Sequence, residues 1–423
     1  MGRRKTVDTG ERRVTMQRAD YIIIGIDDSR EPSLTREARK AIDAGRVFSG
    51  GKRHHEIVAH LLPEGSRWID ITVPLDNVFA EYAKIDDTIV VFASGDPLFF
   101  GFAATIQRRI PSARIRTMPT LNSLQLLAHR LLLPYHDMHT VTLTGRPWHE
   151  LDAALIRRMP KIGILTDRNH TPAAIARRMM EYGYDNYDMH IGELLGNDGK
   201  EKVATMSLGE AATYEAAMPN CVMVTARKAR KVTMPIPDAA FIPLPGRPLM
   251  ITKAAIRHLT LAALELQQRQ SMWDIGFCTG SVSIEARQQF PHLHVTAFET
   301  RSECEEIIRA NARRLGTPGI DVVMGDFLAT DTSVCRTPDA VFIGGHGGHL
   351  REMVRKAAQA MAHGGVIVYN CVAVETTTDP RIPTDSMEVF CQSAAGAGLT
   401  VEQPMRVAID SYHPINILKA RKK

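Results

Sequence analysis

Trp273-Asp-Ile-Gly-Phe-Cys-Thr-Gly-Ser-Val-Ser-Ile-Glu-Ala286 reads as a short apolar strand, a turn through two glycines and an amphipathic helix. Gly276 and Gly280 allow positive-φ backbone where a side chain would block a ligand. Open α/β sheets bind ligands in a crevice at the carboxyl ends of their strands. Two further acids fall at such ends, Glu299 in HVTAFET and Asp326 in VVMGDF. A carboxylate after the second strand suits a ribose diol, because it can accept from both hydroxyls. The turn reads Gly-Phe-Cys-Thr-Gly-Ser, without the G-x-G-x-x-G spacing of dinucleotide sites. That argues for an adenosyl group lacking a pyrophosphate. The same glycines would equally serve close helix–strand packing in a sheet with no ligand.

Outward from this stretch, strands are expected near 294–299, 320–324, 339–343 and 365–370, separated by helices at 281–289, 301–315 and 349–361. A helix near 252–268 precedes the turn. A helix near 385–397 and strands at 400–409 and 413–420 close the chain. In the first half, Asp20-Tyr-Ile-Ile-Ile-Gly-Ile26 is a buried-strand pattern, followed by a helix about Ser33–Ala44 with Ser33 as N-cap. Val47-Phe-Ser-Gly-Gly-Lys-Arg-His-His55 is a strand emptying into a glycine pair with basic residues. Thr88–Gly101 repeats that design with an acid in the turn. Helices near 98–109, 120–132, 149–158 and 171–182 alternate with strands at 140–144, 161–166, 188–192 and 220–225. Alternation of this length predicts an α/β fold in both halves. Charge and prolines from Arg227 to Pro248 mark a linker. The expected organisation is therefore a disordered lead-in at 1–19, one domain at 20–226, a linker at 227–248 and a second domain at 249–423.

Composition narrows the function classes. The chain has 423 residues, 44% hydrophobic and 23% charged, enough apolar material for two cores. The net charge is +5, from 52 basic and 47 acidic residues, short of a nucleic-acid footprint. Six cysteines, widely spaced and without a C-x-x-C pair, read as reduced thiols of a cytoplasmic protein. No segment approaches membrane-spanning length, and the basic amino terminus lacks the apolar run of a signal peptide. Zinc, Walker, H-E-x-x-H and G-x-S-x-G motifs are missing, so no metal site is expected.

The second half resembles the class I S-adenosylmethionine-dependent methyltransferases. From Pro245-Gly-Arg-Pro-Leu-Met-Ile-Thr-Lys253 to Phe342-Ile-Gly-Gly-His-Gly-Gly-His-Leu350 it is most similar to the decarboxylating precorrin C15-methyltransferases. Cys278 stands where that family often has glycine, and His346 where a small hydroxyl residue is common. The resemblance implies that Asp274, Gly276, Thr279, Gly280 and Ser281 cradle the methionine end of the cofactor. Glu299 would hold the ribose and Asp326 would lie by the adenine, with Thr252, Gly344 and Gly345 lining the mouth. His346 and His349, on the glycine-rich strand end, are the candidates for proton transfer.

The first half resembles the tetrapyrrole methylases, a class III methyltransferase fold of two α/β lobes. The matching segments are Gly50-Gly-Lys-Arg-His54, Ser94-Gly-Asp-Pro-Leu-Phe-Phe-Gly101, Pro119–Ala128 and Leu143-Thr-Gly-Arg146. Together they look like the precorrin C5-methyltransferase branch. One landmark is altered: the first strand ends Gly25-Ile-Asp-Asp28 where G-x-G-P-G is usual. The resemblance implies that Ser94, Asp96, Phe99, Asn122 and Ser123 enclose S-adenosylmethionine. Lys52, Arg53 and His54 would pair with the acetate and propionate groups of a precorrin-type tetrapyrrole.

The two resemblances run from about residue 20 to 421. They imply methyl transfer to carbons 5 and 15 of one precorrin, with loss of carbon dioxide from its C12 acetate. The implied partners are the tetrapyrrole and a homo-oligomer, with no nucleic acid or membrane. Two other readings stay open: RNA or protein methylation by the second domain, and a non-catalytic tetrapyrrole-binding protein.

Overall fold

The computed structural model describes residues 20–372, 386–409 and 413–423; the expected lead-in at 1–19 lies outside them. The chain forms two compact units. One holds residues 20–136, 191–204 and 216–221, the other 137–190, 205–215, 222–372, 386–409 and 413–423.

The first sheet contains β1 (Tyr21–Ile26), β2 (Val47–Gly50), β3 (Arg67–Asp70), β4 (Ile89–Ser94) and β5 (Ile115–Met118), in the order β3-β2-β4-β1-β5. Its pairings are parallel, with Ile23 of β1 in register with Val91 of β4 on one side and Thr117 of β5 on the other. Near-continuous apolar runs such as Ile89-Val-Val-Phe-Ala93 fit this, since both faces of a parallel sheet are covered. The first helix, Arg36–Asp43, is capped by Thr35, whose hydroxyl accepts from the Ala38 amide. Thr35 thus takes the role expected of Ser33. The glycine pair after β2 opens directly into a helix, Lys52–Val58, where only a basic turn was expected.

The second sheet orders β6 (His139–Thr142), β7 (Lys161–Leu165), β8 (Tyr187–Glu193), β9 (Lys202–Ser207) and β10 (Asn220–Ala226) as β6-β7-β10-β8-β9. The third sheet is built from β11 (Ser271–Ile275), β12 (His294–Glu299), β13 (Ile320–Met324), β14 (Ala340–Ile343), β15 (Val366–Val372), β16 (Leu399–Val401), β17 (Met405–Val407) and β18 (Ile415–Lys422). Its order is β13-β12-β11-β14-β15-β18-β16, and β17 pairs with β18. The strands β11 to β15 are parallel, whereas β18 runs antiparallel to β15, β16 and β17. One strand was expected at 400–409; Pro404, which lacks an amide donor, divides it into β16 and β17.

β11 lies at the centre of the five parallel strands, where the strand order reverses between β12 and β14. That topological switch point opens a crevice at the strand carboxyl ends. Beneath it, Trp273, Phe298 and Phe327 pack edge to face and anchor the core. Arg257 and Glu285, both without solvent exposure, form an ion pair at 2.8 Å between two helices flanking the crevice.

Candidate functional site

The turn after β11 is forced by backbone proximity. Gly276 has φ +78, and a Cβ there would fall 2.7 Å from the Gly345 amide nitrogen. Only glycine lets the two loops close against each other. At Gly280 the constraint is helix packing. A Cβ would lie 2.3 Å from Ile308, so this residue seats the helix Ser281–Gln289 against the helix Glu303–Leu315. Cys278 adopts φ +53, the left-handed region that favours glycine. This is the position where the resembled family often has glycine, and the backbone keeps the glycine-like conformation.

A cavity of about 290 Å³ lies over this turn, lined among others by Met250, Thr252, Asp274, Thr279, Gly344 and Asn370. Three buried side-chain oxygens on its lining residues have no hydrogen-bond partner among the described residues: Asp274 Oδ1, Thr279 Oγ1 and Asn370 Oδ1. Buried polar atoms are almost always paired, so this concentration marks a place built for a polar ligand. Asp274 is fixed through its other oxygen, which accepts from the Ser283 amide at 3.1 Å and the Ser283 hydroxyl at 2.6 Å. Burial pushes its pKa up to about 7, against the lowering effect of those two bonds. Ser281 and Val282, at the amino end of a helix, also line it, as does the cation Lys253. Such an end favours an anion through its free amides and its dipole. The cavity therefore joins an anion-favouring end to a set of acceptors, the complement of a zwitterionic amino acid. These residues fit the methionine end of an S-adenosylmethionine.

Not every expected residue turns toward the cavity. Glu299 is buried with both carboxylate oxygens engaged: Oε2 accepts from the Cys278 amide at 3.0 Å and Arg301 Nη2 at 2.6 Å, and Oε1 from the amides of Thr300 and Arg301. Burial acts to raise its pKa, but the Arg301 guanidinium prevails and holds it below the usual range. Arg301 was not singled out from sequence, and it now occupies the carboxylate expected to meet a ribose. Asp326 is exposed and outside the cavity lining, its Oδ1 accepting from the Leu328 amide. His346 and His349 sit on the loop after β14, also outside the lining. His346 Nδ1 accepts from the Gly348 amide at 3.1 Å, so a neutral ring carries its proton on Nε2. Burial, aided by the charge of His349, lowers its pKa and favours that neutral form.

In the first unit, three turns meet. A Cβ on Gly25 would strike the Gly95 carbonyl at 1.8 Å, and one on Gly95 would lie 2.6 Å from Asn122 Cα. Asn122 caps the helix Ser123–Leu131, its side chain accepting from the Gln125 amide while the Gln125 side chain accepts from the Asn122 amide. Asp96 builds its turn by accepting from the Leu98 amide at 2.8 Å, and Phe99 packs edge to face on Phe100. Arg53 reaches Asp28 at 3.0 Å and the Ser94 hydroxyl at 2.9 Å. His54 Nδ1 accepts from the Gly51 amide, leaving Nε2–H to donate to Ser94 Oγ at 2.9 Å. Burial, then the neighbouring Arg53 charge, lowers His54 to about 4, so it is neutral at pH 7. Lys52 remains exposed. Asp28, in the altered landmark, is buried and also accepts from Asn197 Nδ2 at 3.0 Å.

Comparison with known proteins bears on both halves. The tetrapyrrole (corrin/porphyrin) methylases match residues 22–212, and the precorrin methyltransferase domain matches residues 248–380. The precorrin-6Y C(5,15)-methyltransferase [decarboxylating] of a Sinorhizobium species is 33% identical over 364 residues, covering 84% of each chain. The chain belongs to this family. Each half of this family member also has separate relatives. A cobalt-precorrin-6B C(15)-methyltransferase (decarboxylating) of Salmonella typhimurium is 39% identical over 132 residues, 31% of this chain and 67% of its own. A cobalt-precorrin-7 C(5)-methyltransferase of the same organism is 26% identical over 179 residues, 42% of this chain and 86% of its own.

Proposed function

We propose that the chain methylates carbons 5 and 15 of a precorrin and removes carbon dioxide from its C12 acetate, as a bifunctional enzyme of cobalamin biosynthesis. The observation that carries this reading is that a relative of that name aligns with the chain across both halves at 33% identity. The acceptor-rich cavity supports it independently. Residues 20–226 would methylate carbon 5, and residues 249–423 would methylate carbon 15 and decarboxylate. The six unpaired cysteines fit a cytoplasmic enzyme.

S-adenosylmethionine supplies an already activated methyl group, so the protein's share of the work is positioning. Holding two reactants in line lowers a barrier by as much as about 7–11 kcal/mol in well-oriented systems. In the second domain Asp274, Thr279 and Ser281 would hold the amino-acid end, while Gly276 and Gly344–Gly345 let the backbone approach. Glu299 would serve the ribose after Arg301 releases it, Asp326 would lie by the adenine, and Thr252 would line the mouth. In the first domain Ser94, Asp96, Phe99, Asn122 and Ser123 would enclose the second cofactor. Arg53, set by Asp28, and Lys52 would meet the acid side chains of the macrocycle, and neutral His54 would offer a hydrogen bond through Ser94. His346, neutral with a proton on Nε2, and His349 are proposed to exchange the proton at the meso carbon.

Incubation of the full chain with precorrin-6B and methyl-labelled cofactor, followed by mass measurement, tests the proposal. Two methyl gains and one carbon dioxide loss are expected. A product with one methyl gain and its carboxyl intact would overturn the assignment of the second domain.

A further inference from the structure

We propose that Asn370, at the carboxyl end of β15, positions the methyl donor by presenting its side-chain carbonyl to the donor's primary ammonium. The inference rests on the cofactor reading above and deepens it, since Asn370 lies outside the glycine turn and its acidic strand ends.

The orientation of the amide follows from its neighbour. Thr260 Oγ donates its only proton to the Ile256 carbonyl at 2.8 Å, one helical turn back. That hydroxyl can therefore only accept from Asn370, which lies 2.8 Å away. The group facing Thr260 must be the NH₂, and the carbonyl oxygen must be the free end. Asn370 Oδ1 is buried and has no partner among the described residues, and the residue lines the cavity. Register places it well: Tyr369 pairs with Ile343, so Asn370 follows at the level of Gly344, another lining residue.

The chemistry of the missing partner is set by the company of that oxygen. Asp274 Oδ1 is a second unpartnered acceptor and Thr279 Oγ1 a hydroxyl able to accept, both on the same cavity. A group with several N–H donors and positive charge satisfies such a set, and an ammonium carries three donors and no acceptor. An uncharged hydroxyl brings one donor and leaves acceptors stranded, at a desolvation cost. Burying an amide in an otherwise apolar strand, Val366-Ile-Val-Tyr-Asn-Cys-Val372, has no packing benefit that valine would not exceed.

The test is calorimetric titration of the full chain with S-adenosylhomocysteine and with its analogue lacking the amino group. Two sites are expected, one per domain, and the first-domain site serves as an internal reference. In the wild type the amino group should strengthen second-domain binding. In Asn370→Ala that site should weaken by about tenfold or more for S-adenosylhomocysteine, while the analogue is little affected, so that discrimination disappears. Asn370→Asp keeps an acceptor toward the ammonium, its second oxygen drawing the Thr260 hydroxyl proton away from the Ile256 carbonyl, and should preserve discrimination. Thr260→Val, which frees the amide to turn its NH₂ inward, should diminish it. An unchanged ratio between the two ligands in Asn370→Ala, or equal weakening of both, would overturn the proposal. Failure of the wild type to show any second-domain site would instead remove the cofactor reading itself.

Discussion

Replacing Asp274 with Asn should stabilise the fold at alkaline pH while weakening the site. The carboxyl is 1% exposed and one of its oxygens is unpartnered. Burial moves its pKa from 3.8 to about 7 in the folded chain. The unfolded chain releases that proton near pH 4, the folded chain only near pH 7. Between those values the folded state holds more protons, so stability falls as pH rises. At about 1.36 kcal/mol per pH unit, the full loss is roughly 4 kcal/mol, reached above pH 7. Asn keeps an acceptor for Ser283 and carries no charge, so it escapes this dependence. Between pH 5.5 and 8.5, the stability of Asp274→Asn relative to wild type should improve by about 2 kcal/mol. Urea unfolding can follow this through Trp273 fluorescence in a background with Trp68 and Trp148 changed to Phe. S-adenosylhomocysteine binding should weaken in the same variant. A stability difference independent of pH would refute the reasoning, because it would mean that Asp274 is ionised throughout.

Gly276→Ala should disable donor binding in the second domain and lower the melting temperature. The left-handed backbone alone costs about 1–2 kcal/mol, and the Cβ overlap with Gly345 adds to it; Gly145→Ala, at φ +63 with nothing within 4 Å, should show only the backbone penalty. Arg257→Met takes the ion-pair partner from buried Glu285, whose carboxylate keeps only Gln289 at 3.2 Å and His258 at 3.9 Å, and should destabilise by about 3–5 kcal/mol. Adding Glu285→Met should restore part of it in the same denaturation assay, because Asp238 and the Thr252 and Ile236 carbonyls still lose the guanidinium. Acid should loosen the contact between the helix His149–Ile156 and the start of β12. His149 and His294 stack at 3.8 Å, with Arg287 and Arg336 adding positive charge and Glu150 opposing it. Burial depresses both rings to about 4, so their stabilisation is complete above the ordinary 6.5 and is lost as pH falls toward 4. Hydrogen exchange in 149–156 should accelerate from pH 7 to 5 after correction for intrinsic rates, and His149→Phe with His294→Phe should flatten that response.

Local pattern carried most of the architecture. Apolar runs of strand length, such as Ile22-Ile-Ile24 and Val366-Ile-Val368, alternate with helix-length amphipathic stretches, and both α/β halves follow from that period. Short or polar elements escaped it. Arg67-Trp-Ile-Asp70 is a strand because β2 offers it an edge, and Lys52–Val58 is a helix although its first turn reads as surface charge. Helix Ala254–Ala263 stops short of the expected 268 because Glu265 turns to φ +55, where three cations, Arg269, Lys419 and Arg421, gather on its carboxylate. Those partners are separated from it by up to most of a domain in sequence.

By itself the chain determined the class of fold, the glycine turn after β11 and the identity of the acids at neighbouring strand ends, because each depends on a few contiguous residues. Tertiary structure alone decided what those groups face. It turned Glu299 onto Arg301, left Asp326 exposed, buried Asp274 until its proton became hard to remove, and brought Asn370 to the same cavity. The physical reason is that backbone preference is local, whereas burial, electrostatic environment and the pairing of polar atoms depend on strands far apart in sequence.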